Sequence, residues 1–280
     1  SDSVALLFLF SNLKNKIAAA YIDHGLRKKA KKEKAFVKNL CKKLGIPFFT
    51  KKVNTKKFAL KNKKSIEESA RILRYSSLTQ IALNHGFKKI ATAHTLNDRI
   101  ETVFLKIFRG GGILSLAGIP KKTKINKITV IRPLLVFQRE ELKNYLKKKK
   151  TKFMTDETNR NLKFLRNKIR NLFFPFIKKN FDENFEKRIY SISLQAEEMA
   201  EFVFELTKKL KKGILERKRY LRYNPFIRKC FLAEFLGGKV NTEYINKIDR
   251  FIESGKGGTF IIKGGKVLIK RGKIKFEKTS

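Results

Sequence analysis

The 280-residue sequence contains no tryptophan, only two cysteines and two methionines, and five prolines. Cys41 and Cys230 lie far apart, so no disulfide framework, zinc ribbon or cysteine-ligated iron–sulfur cluster can be built from them. Acidic residues are scarce: 24 Asp and Glu stand against 67 Lys and Arg, a formal net charge of +43. Long apolar runs are lacking as well. The longest, Val4–Phe10, is far short of the roughly 20 residues that span a bilayer, and no basic segment precedes it as in a secretory signal. The expectation is a cytoplasmic chain with no membrane span. What is present argues for a folded protein. The 25 Phe and 7 Tyr supply large apolar side chains, against wholesale disorder. At roughly 150 residues per domain the length suggests two domains, and such a chain can bury roughly three quarters of its unfolded surface. Self-repulsion at this charge calls for a polyanion, with nucleic acid the default and an anionic membrane surface the rival. Compositional bias toward lysine accounts for any surplus. The dense run Lys147–Lys150 reads as a solvated helix end.

The first half alternates short apolar runs with amphipathic stretches. Strands are expected at Ile17–Ile22, Phe48–Val53 and Lys89–Ala93. Helices are expected over Ala30–Leu44, from Ser65 to about Asn84, and from Leu96 to Phe108. Ser65 with Glu68 reads as a capping box, and Gly45 and Gly86 as helix stops. Strands alternating with helices imply an α/β fold with a Rossmann-like, doubly wound parallel sheet, whose ligands sit beyond the carboxyl ends of the strands. The second half carries long helical patterns over Arg139–Lys150, Asp182–Lys211 and Pro225–Leu236. It closes on three short strands, Thr259–Ile262, Lys266–Ile269 and Lys273–Glu277, separated by Gly264-Gly265 and Arg271-Gly272 turns. A division into residues 1–190 and a smaller helical domain with a β meander, 191–280, follows from this change of character.

The segments after the strands carry the chemistry. Ser1-Asp2-Ser3 precedes an apolar helix and reads either as a helix cap or as the end of an anion-binding loop. Asp23-His24-Gly25-Leu26-Arg27 follows the first strand. His94 follows the third, and Asp98 and Glu101, three residues apart, share a helix face. They read as an acidic first turn or as a pair that binds a cation. Arg71 and Arg74 share a face with Glu67, as in an intrahelical ion pair. Arg109-Gly110-Gly111-Gly112 is a glycine-rich turn suited to close backbone approach.

Together these segments resemble the tRNA(Ile)-lysidine synthetase family of PP-loop ATPases. Ser1-Asp2-Ser3-Val4-Ala5-Leu6-Leu7 is similar to the end of that family's Ser-Gly-Gly-x-Asp-Ser nucleotide loop and the helix after it. Asp23–Arg27 is similar to its second signature, and Glu67-Glu68-x-Ala70-Arg71-x-x-Arg74-Tyr75 to its third. Ala91-Thr92-Ala93-His94-x-x-Asn97-Asp98-x-x-Glu101-Thr102, running into Arg109-Gly110, is similar to its fourth. Arg132-Pro133-Leu134-Leu135, Asp156-x-x-Asn159 and Arg166-Asn167-x-Ile169-Arg170 resemble later motifs.

The resemblance implies a ligase that uses ATP, with magnesium, to adenylate the C2 carbonyl oxygen of the wobble cytidine in an isoleucine tRNA with a CAU anticodon. Lysine then displaces AMP to give lysidine. It implies ATP-site roles for Ser1, Asp2, Ser3 and His94, with Asp2 at the phosphates or the metal. Asp98 and Glu101 would hold the lysine ammonium and Arg74 the cytosine. Arg109, Arg166, Arg170 and the helical domain would meet the tRNA. A homodimer is allowed. Two departures from the family pattern stand out. The chain begins at Ser1 without the family's first strand or Ser-Gly-Gly, so a truncated sequence that binds ATP poorly or not at all is expected. Asn97 stands where many relatives carry a second Asp. Other readings stay open: a PP-loop enzyme that thiolates tRNA, disfavoured by two isolated cysteines; an amidotransferase relative, without a clear glutaminase signature; and a basic RNA-binding fragment without activity.

Overall fold

Side-chain caps at Asn54, Ser65 and Asn224 place the starts of three helices. A computed structural model describes residues 1–13, 16–26, 29–151, 153, 162, 164–208, 214–236, 242–262 and 265–277. The chain forms two compact units, Ser1–Arg99 with Pro120–Asn161, and Ile100–Ile119 with Leu162–Ser280. The expected Asp156 and Asn159 motif, and Arg27 of the second signature, lie outside the described residues.

In the first unit, α1 (Asp2–Ser11) is apolar on nearly every side, as a buried helix must be. Its Val4, Ala5 and Leu6 form a core with Leu134, Leu142 and Leu146. Strand β1 (Ala19–Asp23) pairs in parallel with β2 (Phe48–Lys52) across α2 (Ala30–Lys43), which Gly45 ends at φ +65°. After α3 (Thr55–Lys61), α4 (Ile66–Asn84) opens where Ser65 accepts a hydrogen bond from the Glu68 N–H at 3.1 Å. Gly86, at φ +71°, follows its end. Strand β3 (Lys89–Ala91) runs parallel to β5 (Ile128–Ile131), which also pairs antiparallel with β4 (Lys122–Ile125).

The sheet thus comes in two pieces, β1–β2 and β3–β5–β4, each with a parallel pair. The third strand is shorter than the sequence pattern implies, because Thr92 and Ala93 already belong to the loop that carries the site. The β4–β5 hairpin was not expected. Its buried Arg132 explains the Arg132-Pro133-Leu134-Leu135 motif in part: Nη1 donates to the Pro120 carbonyl at 2.7 Å and to Thr123 Oγ1 at 2.9 Å, clasping the hairpin. Helix α6 (Arg139–Lys148) begins with a reciprocal capping box between Gln138 and Glu141.

Helix α5 (Leu96–Ile107) contributes its first turn to the first unit and its remainder to the second. In the second unit Phe104 meets Phe173 and Phe174 edge-on at 5.1 and 5.6 Å, and Phe174 meets Phe185 at 5.2 Å. These rings join α5 to the π-helical turn (Ile169–Phe173) that follows α7 (Leu165–Lys168), to α8 (Phe174–Asn180) and to α9 (Phe185–Lys208). Further along are β6 (Ile214–Glu216), α10 (Arg217–Leu221), α11 (Pro225–Phe235) and α12 (Thr242–Ser254). Strands β7 (Gly258–Ile262), β8 (Gly265–Lys270) and β9 (Lys273–Glu277) complete an antiparallel sheet ordered β6-β9-β8-β7. Arg271 and Gly272 both have positive φ, +50° and +70°, as a tight primed hairpin turn needs. Tyr220, Phe231, Ile248, Ile252, Val267 and Ile274 form the core under this sheet.

Candidate functional site

In the first unit the N-termini of α1, α5 and α6 meet. Arg139, the first residue of α6, donates from Nε to Asp2 Oδ2 at 3.2 Å and from Nη2 to Asp98 Oδ1 at 3.1 Å. Its backbone N–H donates to Asn97 Oδ1 at 2.8 Å, and the Leu96 N–H to the Phe137 carbonyl at 3.0 Å. The side chains of Asp2, Asp98 and Arg139 are only 15–22% exposed. Oδ2 of Asp98 accepts from the Thr95 N–H at 2.9 Å and the Thr95 hydroxyl at 3.0 Å, which fixes its rotamer. Three helix dipoles therefore turn their positive ends toward one place. That field favours anions, both the carboxylates now there and a phosphate arriving there.

Of the two readings of Ser1-Asp2-Ser3, the side-chain cap is not the one formed. Ser1 occupies the N-cap position but makes no side-chain cap. Its hydroxyl donates instead to Asp2 Oδ1 at 2.6 Å. Ser3 is exposed. The loop after β3 places His94 with Nδ1 2.9 Å from Thr92 Oγ1. After β1, Asp23 Oδ1 accepts from the Gly25 N–H at 2.9 Å, and His24 Nδ1 lies 3.4 Å from Thr55 Oγ1. Gly25 sits at φ +66° with room for a Cβ only 3.3 Å from the Val53 carbonyl oxygen, so the turn itself asks for glycine. Arg74 stands exposed on α4, and Arg71 stacks over Tyr75 at 5.2 Å.

In the second unit Glu101 is 1% exposed and serves two guanidiniums. Arg166 Nε donates to Oε2 at 2.9 Å, while Arg170 donates from Nε to Oε1 at 2.7 Å and from Nη2 to Oε2 at 2.8 Å. Arg166 also reaches Thr102 Oγ1 at 3.1 Å. A buried carboxylate needs such partners. Arg109 is exposed just past α5. The close approach expected of the following glycines is to the chain itself: a Cβ on Gly111 would lie 2.4 Å from Ser115 Oγ and 3.0 Å from the Lys106 carbonyl oxygen.

The expected pair on one face of α5 is thus already engaged, Asp98 by Arg139 and Glu101 by Arg166 and Arg170. Sequence reasoning missed Arg139. Its partners are distant in sequence, and the only local signal was its place at a helix start after an apolar motif. It also missed the part played by Asn97, whose amide oxygen tethers the start of α6. Among the described residues no group of three or more His, Cys, Asp or Glu side chains could hold a metal ion. Magnesium needs less, commonly one or two carboxylates beside the phosphates of a nucleotide. Asp2, partly accessible beside three helix N-termini, fits as that carboxylate, and a divalent ion there would compete with Arg139.

The PP-loop domain family matches residues 1–177. The tRNA(Ile)-lysidine synthase of Pseudothermotoga lettingae is 40% identical over 181 residues, covering 63% of this chain and 40% of that protein. That of Chlorobaculum tepidum is 36% identical over 207 residues, covering 72% and 61%. That of Thermus thermophilus is 35% identical over 224 residues, covering 80% and 40%. The matched stretches thus span between 40% and 61% of the length of these relatives. Among solved structures, the U34-tRNA thiolase NcsA from Methanococcus maripaludis with its [4Fe-4S] cluster shares the fold at a TM-score of 0.58 and 15% identity, over 70% of this chain and 69% of that one. With a parallel α/β sheet, a site at converging helix starts and a match over most of its length, the chain belongs to the PP-loop domain family.

Proposed function

We propose that this chain carries the catalytic part of a lysidine-forming tRNA ligase. In the proposed reaction, the C2 oxygen of the wobble cytidine of an isoleucine tRNA takes the adenylyl group of ATP with release of diphosphate, and an uncharged lysine amine then bonds to C2 and displaces AMP, giving up a proton. Residues 1–190 would do the chemistry and 191–280 would assist in holding tRNA. The observation that carries this reading is the bridge from Asp2 through Arg139 to Asp98. It joins the carboxylate at the start of α1, suited to nucleotide and magnesium, to one suited to an ammonium, so the two half-reactions can share one site.

The first-turn N–H groups of α1 and the guanidinium of Arg139 would bind phosphate oxygens. Asp98, its rotamer fixed by Thr95, would take the lysine ammonium as Arg139 turns to the phosphates. Glu101, already satisfied by two arginines, would orient Arg166 and Arg170 toward RNA. Arg74 and Arg109, both exposed, would contact the substrate RNA, and His94 would line the nucleotide pocket. Holding amine and activated carbonyl together is the main catalytic task, since AMP is a good leaving group. The relatives named as tRNA(Ile)-lysidine synthases support this reading. Thiolation lacks such support here, because the fold likeness to a thiolase carries no chemistry and both cysteines are buried.

Adenylyl transfer is tested with α-phosphate-labelled ATP and the purified protein. Without lysine, label should accumulate on the tRNA; with lysine it should leave as AMP. Label that never reaches the RNA would refute the adenylated intermediate.

A further inference from the structure

The second unit carries an apolar groove of about 440 Å³ that the site described above does not use. Phe108, Leu165, Ile169, Leu172, Phe173 and Phe176 line it with Lys168. Phe108, Leu172 and Phe176 are 53%, 53% and 55% exposed. A contiguous exposed apolar patch of this kind marks a docking surface. The groove is also pre-formed: Phe108 and Phe173 pack edge-on at 5.7 Å, and Phe173 rests on Phe104. The π-helical turn that holds Phe173 also aims Arg170 at Glu101. Such turns often mark functional positions.

Charge selects the occupant. The stretches that build the groove, 102–119 and 162–181, contain no Asp or Glu. Lys168 lines the groove, and Lys106, Arg109, Lys168 and Lys179 are exposed along these stretches. A second copy of this chain, itself at +43, would set like charges against like if it docked here. A partner with flat π faces and a negatively charged backbone satisfies both the rings and the cations. Unstacked bases of single-stranded RNA have that combination, stacking on aromatics while phosphates meet the basic rim.

We propose that this groove binds unstacked bases of the substrate's anticodon loop. The proposal rests on the tRNA reading above and adds the subsite. It is tested with an anticodon stem-loop carrying 2-aminopurine in its loop, titrated against the wild-type chain and the Phe108→Ala and Phe176→Ala variants. Both side chains are more than half exposed, so circular dichroism melting should be unchanged. The expected result is about tenfold weaker binding in each variant, the loss of one stacked base, with the 2-aminopurine signal altered and the slope of affinity against salt unchanged. Lys168→Gln with Lys179→Gln should instead lower that slope, as lost phosphate contacts do. Wild-type affinity in both phenylalanine variants would overturn the proposal and leave the tRNA reading standing. So would a homodimer, seen by sedimentation, that only these variants dissolve. A wild-type chain that binds no stem-loop would overturn both.

Discussion

Arg139 spans two carboxylates, and Asp98 is held by it and by both polar groups of Thr95. Replacing Asp98 by Asn keeps an acceptor for Thr95 but removes the charge an ammonium needs. The Asp98→Asn enzyme should show lysine KM raised roughly 10- to 100-fold, the cost of losing a charge-assisted hydrogen bond, with tRNA affinity unchanged. An unaltered lysine KM in steady-state kinetics would remove Asp98 from the amine site. The cysteines give a second residue-scale expectation. Burial raises the Cys41 thiol and pushes Cys230 up to about 11. A raised value keeps a thiol protonated, so below that range neither is the thiolate that sulfur chemistry requires. At pH 8 the native chain should react with Ellman's reagent only slowly, and both thiols should react at once in denaturant. Fast stoichiometric reaction of the native chain would reopen the thiolation reading.

Among the elements, helices α10, α11 and α12 are pinned by a buried polar cluster. Asp249, on α12, accepts from Tyr220 Oη at 2.8 Å and from Arg228 Nε and Nη2, both at 3.1 Å, and Arg228 also reaches Glu253. Burial and the adjacent Asp249 charge raise the Tyr220 hydroxyl far above the usual tyrosine range. Asp249→Ala would leave Arg228 with Glu253 as its remaining carboxylate and the buried Tyr220 hydroxyl without its acceptor, and should cost roughly 2–3 kcal/mol of stability, measured by denaturant unfolding. A loss within experimental error would show that water replaces the carboxylate. Much of the element order was legible in the sequence because its signals are local: Ser65 with Glu68 for α4, Gly45 and Gly86 after helices, Arg271-Gly272 for the last hairpin. The β4–β5 hairpin was not legible. Its strands, Lys122–Ile125 and Ile128–Ile131, are only four residues each and meet at Asn126, whose φ of +52° suits asparagine but without the Asn-Gly pair that marks such turns most strongly. Helix α12 also escaped, though its buried Ile245, Ile248 and Ile252 keep helical spacing. The site was half legible. Asp2 and Asp98 of the candidate site come from motifs, Glu101 of the expected pair instead meets Arg166 and Arg170, and Arg139 is separated from Asp2 and Asp98 by 137 and 41 residues, partners that no local pattern links.

For the molecule as a whole, 67 basic against 24 acidic residues leave an excess that the described ion pairs do not absorb. If the proposed RNA binding holds, counterion release predicts that its affinity falls steeply as salt rises. That electrostatic attraction would bring many RNAs to the surface, and the bridged carboxylates and the aromatic groove would then choose among them. No helix among the described residues is long and apolar enough to cross a membrane. The charge favours a polyanion partner of any kind, whereas the proposed chemistry depends on Asp2, Asp98 and Arg139. The direct test supplies labelled lysine, ATP and a CAU-anticodon isoleucine tRNA transcript to the purified protein, then identifies the labelled nucleoside by mass spectrometry. Label at the wobble cytidine, dependent on ATP and lost in Asp98→Ala while the tRNA still binds, is the expected result. Tight tRNA binding with no lysine incorporated at that position would contradict the account.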